Sequence, residues 1–332
     1  MRRAAEHYFL RRWYGSVRPG IGWRLLTAVH ARAASRRLGR PVARPECPVI
    51  VVGNLTVGGG GKTPVTVALA GALRERGFRP AIISRGYRAD RRTGPLEVTG
   101  DADPARVGDE PVLLARRAAC PVWVCRDRAG ALAAARAAGA DVVISDDGLQ
   151  HRRLPRSFEI CVIDGARGFG NGLLLPAGPM RQPLERLASV DLVLRKQVAG
   201  SVEADGLPGT PFELAPGPLQ PVGAGGAGDA GPPRQGDAVD AVCGIAHPES
   251  FFGSLEYLGY RVRRHAFPDH HRFTVTDLAN LQGPLVVTEK DAVKLERLVA
   301  PGAAWLLPVE ARLPAAVTCP VIKHVREFDG DD

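Results

Sequence analysis

The chain has 332 residues, of which 45% are hydrophobic and 24% are charged, a composition typical of a globular protein of about two domains. No run of about 18 uncharged apolar residues occurs, so we expect no transmembrane helix. The N-terminus lacks the apolar stretch and cleavage site of a secretory signal. The sequence therefore predicts a protein that is cytoplasmic or lies on the cytoplasmic face of a membrane.

The net charge of +9 is concentrated at the N-terminus. Residues 1–40 contain ten Arg and one acid, whereas the rest of the chain contains 34 basic and 34 acidic groups. Two helices are predicted here, and they also carry aromatic residues: Phe9, Trp13 and Tyr14 within residues 1–14, and Trp23 within about 22–38. Arg and aromatic residues on short amphipathic helices indicate an anionic membrane surface. The alternative is that each apolar side packs on the protein's own domain.

From Pro48 onward, strand and helix patterns alternate. A β-branched run at 49–52 predicts a buried parallel strand, which is followed by a glycine-rich turn and a helix that ends near Gly77. Further strands are predicted at 81–84, 122–125, 142–145, 159–163 and 191–194, with a helix at 129–139. This alternation predicts a doubly wound parallel sheet within residues 41–205.

Residues 206–236 contain nine Gly and seven Pro among 31 positions, and this composition predicts a linker without packed elements. Residues 237–332 again alternate and predict a second, smaller α/β domain. Its predicted strands are 240–244, 261–267, 284–288 and 304–308, and its predicted helices are 248–258, about 274–281 and about 290–299.

The strongest motif is VGNLTVGGGGKTP at residues 52–64. A strand that enters a glycine loop and then a helix offers backbone N–H groups and a helix N-terminus to phosphate oxygens. Thr56 stands where the usual G-x-x-x-x-G-K-[ST] pattern has its first Gly, and a plain glycine turn is the alternative. We predict that the phosphates of a nucleotide contact Thr56, Gly58, Gly59, Gly60, Gly61, Lys62 and Thr63.

The strand predicted at 142–145 is followed by Asp146 and Asp147. Carboxylates at the carboxyl end of a parallel strand next to a phosphate loop are typical of a magnesium site. We therefore predict that Asp146, Asp147 and the hydroxyl of Thr63 face Mg²⁺. The alternative is a turn at the end of the strand that an Asp side chain caps.

Other motifs also follow predicted strands or precede predicted helices. Asp109 lies in GDEP at 108–111, and His270 lies in PDHH at 268–271. Arg85 in SRGY and the basic residues of QHRR at 150–153 are placed to clamp a phosphate. Their alternatives are a helix cap for Asp109, a solvated turn for His270 and surface salt bridges for the Arg residues.

Together these motifs resemble the tetraacyldisaccharide 4′-kinase family of the lipid A pathway of Gram-negative bacteria. The resemblance runs in order from about Trp13 to Val293. It includes VGNLTVGGGGKTP, SRGY, GDEP, SDDGLQH, LLLPAGPMRQP, CGIAHPESFF, FPDHH and TEKDAVKL. The phosphate loop of the family also begins with Thr, as it does here at Thr56.

The resemblance implies two α/β/α domains with an active site in the cleft between them. It implies transfer of phosphate from ATP, with Mg²⁺, to the 4′-hydroxyl of a tetraacyl glucosamine disaccharide 1-phosphate. It further implies a peripheral protein at the cytoplasmic face of the inner membrane. The expected partners are the lipid A precursor and the anionic inner-membrane surface, and no nucleic acid is expected.

The resemblance also implies roles for individual residues. Asp109 corresponds to the catalytic base and His270 to its partner, while Lys62 acts at the transferred phosphate. Contacts with substrate or phosphate are implied for Arg85, Tyr87, Gln150, His151 and Arg181. Two positions depart from the family: Gly60, where many members have Thr or Ser, and Gln182, where many have Glu.

Two other classes of protein are compatible with a phosphate loop. One is a GTPase or ATPase that acts as a partner-binding switch. A GTPase of this kind would need a guanine-reading N/T-K-x-D motif. The sequence TEKD at 288–291 has the wrong order. An ATPase that binds nucleic acid could use the basic N-terminus. Neither class explains the GDEP and FPDHH motifs.

Overall fold

The computed structural model describes residues 2–15, 19–23, 25–27, 44–86, 94–151, 153–198, 206–223 and 231–328. Most of the second predicted N-terminal helix and all of Tyr87 lie outside these ranges. Within them, no helix is both long enough and apolar enough to span a membrane.

The strands are β1 Val49–Gly53, β2 Pro80–Ser84, β3 Leu96–Glu97, β4 Val122–Val124, β5 Val142–Asp146, β6 Phe158–Asp164, β7 Leu192–Val198, β8 Thr210–Pro216, β9 Gln220–Pro221, β10 Ala238–Cys243, β11 Arg261–Ala266, β12 Leu285–Thr288, β13 Ala304–Leu307 and β14 Val309–Arg312. The helices are α1 Arg2–Tyr14, α2 Lys62–Glu75, α3 Pro104–Val107, α4 Asp109–Arg117, α5 Arg128–Ala137, α6 Pro248–Tyr257, α7 Val275–Leu278, α8 Glu289–Leu295 and α9 Ala315–Arg326. A 3₁₀ helix covers Leu184–Ser189.

The larger sheet has the order β14-β8-β7-β6-β1-β5-β2-β4-β3. Neighbouring strands are parallel except at the two edges, where β14 and β3 are antiparallel to their neighbours. Strand β1 lies at the centre, and all its residues are buried because α2 covers one face of the sheet and α5 covers the other. The prediction of a doubly wound parallel sheet is therefore confirmed.

The smaller sheet has the order β11-β10-β12-β13-β9. Phe251, Phe252 and Leu255 of α6 pack on one face, and Ala292 and Leu295 of α8 pack on the other. A second, smaller α/β domain is thus present, as the sequence predicts.

The predicted linker is wrong for residues 206–223. Strand β8 joins the larger sheet beside β7, and β9 joins the smaller sheet beside β13. Phe212 is only 2% exposed. The prolines of β8 lie near its two ends, Pro211 and Pro216, so the apolar run between them is free to pair and pack. Composition averaged over the whole segment concealed this short strand.

The C-terminal boundary of the predicted smaller domain is also wrong. Strand β14 pairs with β8 in the larger sheet. Val317 and Val321 of α9 pack into the core of the larger domain. The chain therefore crosses between the domains twice, after β8 and again at Pro308, and residues 309–326 belong to the larger domain.

We predict that Phe212→Ala lowers the free energy of unfolding by about 3–5 kcal/mol, because it removes a buried aromatic ring from the larger core. The measurement is urea unfolding followed by circular dichroism. Tyr257→Ala is the control, because Tyr257 is 62% exposed, and it should change the free energy by less than about 0.5 kcal/mol. Equal effects of the two changes would mean that residues 210–216 are not a packed strand.

Candidate active site

A cavity of about 1570 Å³ lies between the two domains. The larger domain contributes the glycine loop and the carboxyl end of β5, and the smaller domain contributes the loops that follow β10 and β11 together with the start of α8. Carboxyl ends of parallel strands are the usual place for a ligand in such sheets. The cavity brings together these predicted residues: Gly58, Gly59, Gly60, Gly61, Lys62, Thr63, Arg85, Asp146, Asp147, Gln150, His151, Arg181 and His270.

The glycine loop connects β1 to α2. Gly61 has a φ of 87°, which favours glycine, and a Cβ at this position would lie only 3.1 Å from the Lys196 side chain. No side chain caps the N-terminus of α2. Its first N–H groups and the positive end of the helix dipole therefore remain available to an anion. Thr56, by contrast, forms a β-bridge with Met180 at the base of the loop.

Lys62 is the first residue of α2 and is largely buried. Its Nζ lies 3.5 Å from Asp147 Oδ1 and 3.5 Å from the carbonyl oxygen of Gly58. The ammonium group is thus held at the opening of the loop, between the backbone that would bind phosphate and the acids at the end of β5.

Asp146 and Asp147 have different surroundings. Asp146 Oδ1 accepts a hydrogen bond from Thr66 at 3.1 Å. Burial, with the nearby charge of Glu110, raises the pKa of Asp146 to about 7. Both oxygens of Asp147 lie 3.0 Å from an Arg181 nitrogen. Burial would raise the pKa of Asp147, but Lys62 and Arg181 hold it well below its usual range.

The chemistry of these donors fits a magnesium ion. Asp146 is a buried carboxyl group, and it has no cation as close to it as Arg181 is to Asp147. A divalent cation would favour the ionised form of Asp146. Thr63 lines the same cavity. Asp147 is already balanced by two cations, so its direct contact with a metal is less favoured than that of Asp146.

Asp109 and His270 meet across the cleft although 161 positions separate them. Asp109 begins α4, His270 follows β11, and His270 Nδ1 lies 3.1 Å from Asp109 Oδ2. Burial would raise the pKa of Asp109, but the hydrogen bond from His270 and the charge of Lys290 lower it well below its usual range. Asp109 is therefore an ionised carboxylate in the folded protein.

Gln150 and Arg181 form one network beside the acids. An Arg181 nitrogen donates to Gln150 Oε1 at 3.2 Å, and Gln150 Nε2 donates to the Asn54 carbonyl oxygen at 2.8 Å. Gln150 Nε2 also lies 3.3 Å from Gln182 Oε1. The neutral amide of Gln182 therefore joins this network as a hydrogen-bond acceptor. Tyr87 lies outside the described residues.

Arg128 is a site residue that the sequence analysis missed. Its guanidinium group is buried and donates to Ser145 Oγ at 2.8 Å, to the Asp146 carbonyl at 2.9 Å and to the Ile83 carbonyl at 3.2 Å. It thereby fixes the carboxyl ends of β2 and β5. Its position at the start of an Ala-rich helix gives no local signal of this function.

Lys196, Asp164 and His247 form a second missed cluster. Lys196 Nζ lies 2.8 Å from Asp164 Oδ2, and His247 of the smaller domain approaches the same oxygen at 3.4 Å. The Lys196 stem packs against Gly61. Burial would raise the pKa of Asp164, but Lys196 and His247 lower it well below its usual range. The sequence carries little signal of this cluster, because Lys196 lies between Arg195 and Gln197 in β7.

Lys290 was also missed, because its TEKD motif was compared with a guanine-reading motif and counted towards the family resemblance, but no role was assigned to the lysine. It is the second residue of α8. Its Nζ lies 3.2 Å from Glu110 Oε1 in the larger domain and 3.2 Å from Asp269 Oδ1 in the smaller one. Arg116 with Glu296 and Arg117 with Glu289 add two further ion pairs between α4 and the α8 segment.

Comparison with known proteins identifies the family. A sequence model described as tetraacyldisaccharide-1-P 4′-kinase, LpxK, matches residues 20–326. The tetraacyldisaccharide 4′-kinase of Alkalilimnicola ehrlichii is 53% identical over 272 residues, which cover 81% of this chain and 80% of that protein. The tetraacyldisaccharide 4′-kinase of Halorhodospira halophila is 46% identical and covers 93% of this chain and 92% of that protein.

The chain belongs to this family. A crystal structure of LpxK from Aquifex aeolicus in complex with ATP superposes with a TM-score of 0.69 at 25% identity, covering 91% of this chain and 98% of that one. The resemblance drawn from the ordered motifs is confirmed, and this protein is a kinase. The alternative of a GTPase or ATPase switch is not favoured.

We predict that Lys196→Met lowers the free energy of unfolding of this kinase by about 3–5 kcal/mol near pH 7, because it leaves the Asp164 carboxylate buried without its ammonium partner. The pKa of Asp164 is lowered in the folded protein. The stabilisation is therefore present above the unfolded pKa of about 3.9 and is lost as the pH falls below it.

The measurement is urea unfolding at about pH 7 and about pH 3.5. The control is the double variant Lys196→Met with Asp164→Asn, which removes the buried charge and should recover at least half of the lost stability. A double variant as unstable as the single one would show that the ion pair is not the source of the effect.

Proposed function

We propose that this kinase transfers the γ-phosphate of ATP to the 4′-hydroxyl of a tetraacyl glucosamine disaccharide 1-phosphate. The observation that carries the proposal is the cleft in which the glycine loop with Lys62 and His270 line one cavity, with Asp109 in hydrogen-bond contact with His270. The names of the relatives and the ATP complex of the Aquifex aeolicus protein support the choice of acceptor and donor.

The transfer requires positioning and charge neutralisation more than covalent chemistry. The 4′-oxygen attacks the γ-phosphorus, the bond from that phosphorus to the β–γ bridging oxygen breaks, and ADP leaves. The hydroxyl proton passes to the Asp109 carboxylate as the new P–O bond forms. His270 donates to the other side of Asp109 and holds it in place. Lys62 neutralises charge on the β- and γ-phosphates.

We propose that Thr63 and Asp146 hold Mg²⁺, with Asp147 adjacent. When bound, Mg²⁺ neutralises charge on the β- and γ-phosphate oxygens. The buried Asp146 carboxyl supports this assignment, because it lies at the carboxyl end of β5 and lines the same cavity as Thr63. Asp147 orients Lys62 and Arg181 through its ion pairs.

We propose that the acceptor is held by Arg85, Tyr87, Gln150, His151 and Arg181. Arg85, Gln150, His151 and Arg181 line the cavity. The Arg181 guanidinium offers donors in the planar geometry that suits a phosphate. Gln150 Oε1 accepts from the same Arg181 nitrogen that contacts Asp147 and helps to fix the orientation of the guanidinium.

We propose that the protein is peripheral and binds the anionic cytoplasmic face of the inner membrane through its N-terminus. Trp13 packs on the protein's own domain, since its Nε1 donates to the Pro176 carbonyl at 3.1 Å. Ile21, Leu25 and Leu26 are nevertheless exposed, Ile21 by 78%. These apolar groups beside the Arg-rich α1 support contact with a lipid surface.

The proposed reaction is tested by transfer of labelled γ-phosphate from ATP to the tetraacyl disaccharide 1-phosphate in mixed micelles. We expect product with ATP and Mg²⁺, and none when the acceptor lacks its 4′-hydroxyl. Transfer to the 4′-deoxy acceptor would contradict the assignment. Hydrolysis of GTP or ATP that is unaffected by the lipid would favour the switch instead.

We predict that Asp109→Asn and Lys62→Ala both lower kcat. Asp109→Asn should lower kcat by about 10²–10⁴-fold with little change in ATP affinity, because Asn keeps the shape but accepts no proton. Lys62→Ala should lower kcat by more than about tenfold, since it removes the ammonium at the transferred phosphate. Steady-state kinetics and ATP titration measure both effects. Asp109→Asn activity within threefold of the unchanged protein would exclude a base role.

We predict that the protein binds anionic vesicles reversibly and more weakly as salt increases. Each Arg near an anionic surface contributes about 1 kcal/mol, and added salt screens it. Replacing four N-terminal Arg residues by Gln should therefore weaken sedimentation with vesicles without changing ATP affinity. Those residues are Arg2, Arg3, Arg11 and Arg12.

The matched control removes the same charge from exposed sites elsewhere, at Arg106, Arg136, Arg312 and Arg326. This control should bind vesicles almost as well as the unchanged protein. Equal retention on neutral and anionic vesicles would rule out electrostatic attachment. An equal loss in both variants would mean that overall charge, not the N-terminal segment, determines binding.

A further inference from the structure

Lys290 occupies an unusual place for a lysine. It lies in the first turn of α8, where the positive end of the helix dipole disfavours a cation. Its side chain is only 16% exposed. The position is stabilised by acids from both domains, Glu110 at 3.2 Å and Asp269 at 3.2 Å. Helix stability alone therefore does not account for a lysine here.

The third neighbour of the Lys290 ammonium is the catalytic pair itself. Lys290 Nζ lies 3.3 Å from His270 Nε2. An ammonium group has three hydrogens to donate and no lone pair, so in this contact Nε2 must be the acceptor. The proton of a neutral His270 then lies on Nδ1, which is 3.1 Å from Asp109 Oδ2. Lys290 thus donates a hydrogen bond to His270, and His270 donates one to Asp109.

We propose that Lys290 is a positioning residue that keeps Nε2 of His270 unprotonated and its proton on Nδ1, so that His270 donates to Asp109 Oδ2. This inference rests on the base role proposed above for Asp109. Protonation of Nε2 would place a positively charged ring 3.3 Å from the Lys290 ammonium. The repulsion between these two charges disfavours that protonation. Lys290 also joins the two domains, so the tautomer is set only where they meet.

Charged groups from three elements surround this contact. Asp109 and Glu110 belong to α4, and Asp269 lies on the same turn as His270, 3.8 Å from its Nε2. Lys290 and Lys294 belong to α8. Without Lys290, Asp109 and Asp269 would both favour an imidazolium at His270. An imidazolium beside Asp109 stabilises the carboxylate and weakens it as a base.

The first test observes the tautomer without relying on activity. Long-range ¹H–¹⁵N NMR of the full chain labelled with [¹⁵N]histidine reports which nitrogen of each of the eight His residues carries hydrogen. His270→Asn identifies the His270 signals. We expect hydrogen on Nδ1 and none on Nε2 at about pH 7. A doubly protonated ring, or hydrogen on Nε2 at about pH 7, would overturn the proposal.

The second test uses the pH dependence of kcat. In Lys290→Met, no ammonium opposes a second proton on His270, so kcat should fall at least about threefold more than in the unchanged protein between about pH 8 and 6. Lys290→Arg keeps a cationic donor and should retain the original profile. A Lys290→Met profile parallel to that of the unchanged protein would overturn the proposal and leave Lys290 a structural role.

The matched control is Arg297→Met. It removes a different ion pair between the domains, Arg297 with Asp103 at 3.2 Å, without contact to His270. Its pH profile should not change, and a shift as large as that of Lys290→Met would also overturn the proposal. Absence of transfer by the unchanged protein would instead contradict the proposed function, while the NMR result would still decide the tautomer.

Discussion

The active site depends on opposite charges that meet across the cleft between two domains. Asp109 and Glu110 of the larger domain face His270 and Lys290 of the smaller one. A carboxylate as buried as Asp109 is costly unless hydrogen bonds and a cation compensate it. Because the partners lie on the other domain, the proposed base has its hydrogen bond and counter-charge only where the two domains are in contact. In the proposed mechanism, the base and the contact between the domains therefore depend on the same interactions.

A second bridge lies on the other side of the glycine loop. His247 of the smaller domain approaches Asp164, which pairs with Lys196 beneath Gly61. The Cβ of Ala246 lies 3.3 Å from where a Cβ of Gly58 would be. The smaller domain thus contacts the larger one next to the glycine loop as well as next to Asp109.

The local patterns of the sequence predict the central strands and the loop well. The run at 49–52 forms a fully buried strand, because a run of β-branched residues favours a buried strand over other local structures. The glycine loop and the two acids are also local, since strand ends in such a sheet gather at one edge. The pairing of Asp109 with His270 came from the family resemblance, because no local signal connects residues so far apart.

Long-range contacts explain what the sequence could not supply. Strand β8 is hidden by the Pro and Gly around it, and β14 returns to the larger sheet after a complete excursion through the smaller domain. In the sequence, Lys196 and Lys290 look like ordinary charged residues. Their acidic partners are distant in sequence, and only the fold brings them close. Arg128 likewise acquires its function only from the carbonyl groups that surround it.

The most direct test of this account is a double-mutant cycle on kcat for Asp109→Asn and His270→Ala. If His270 acts through Asp109, the loss in the double variant should be close to that of Asp109→Asn alone, because residues that act as a unit are not additive. Thermal unfolding of each variant establishes that the fold is retained. Losses that multiply in the double variant would contradict the claim that the two domains complete one catalytic pair.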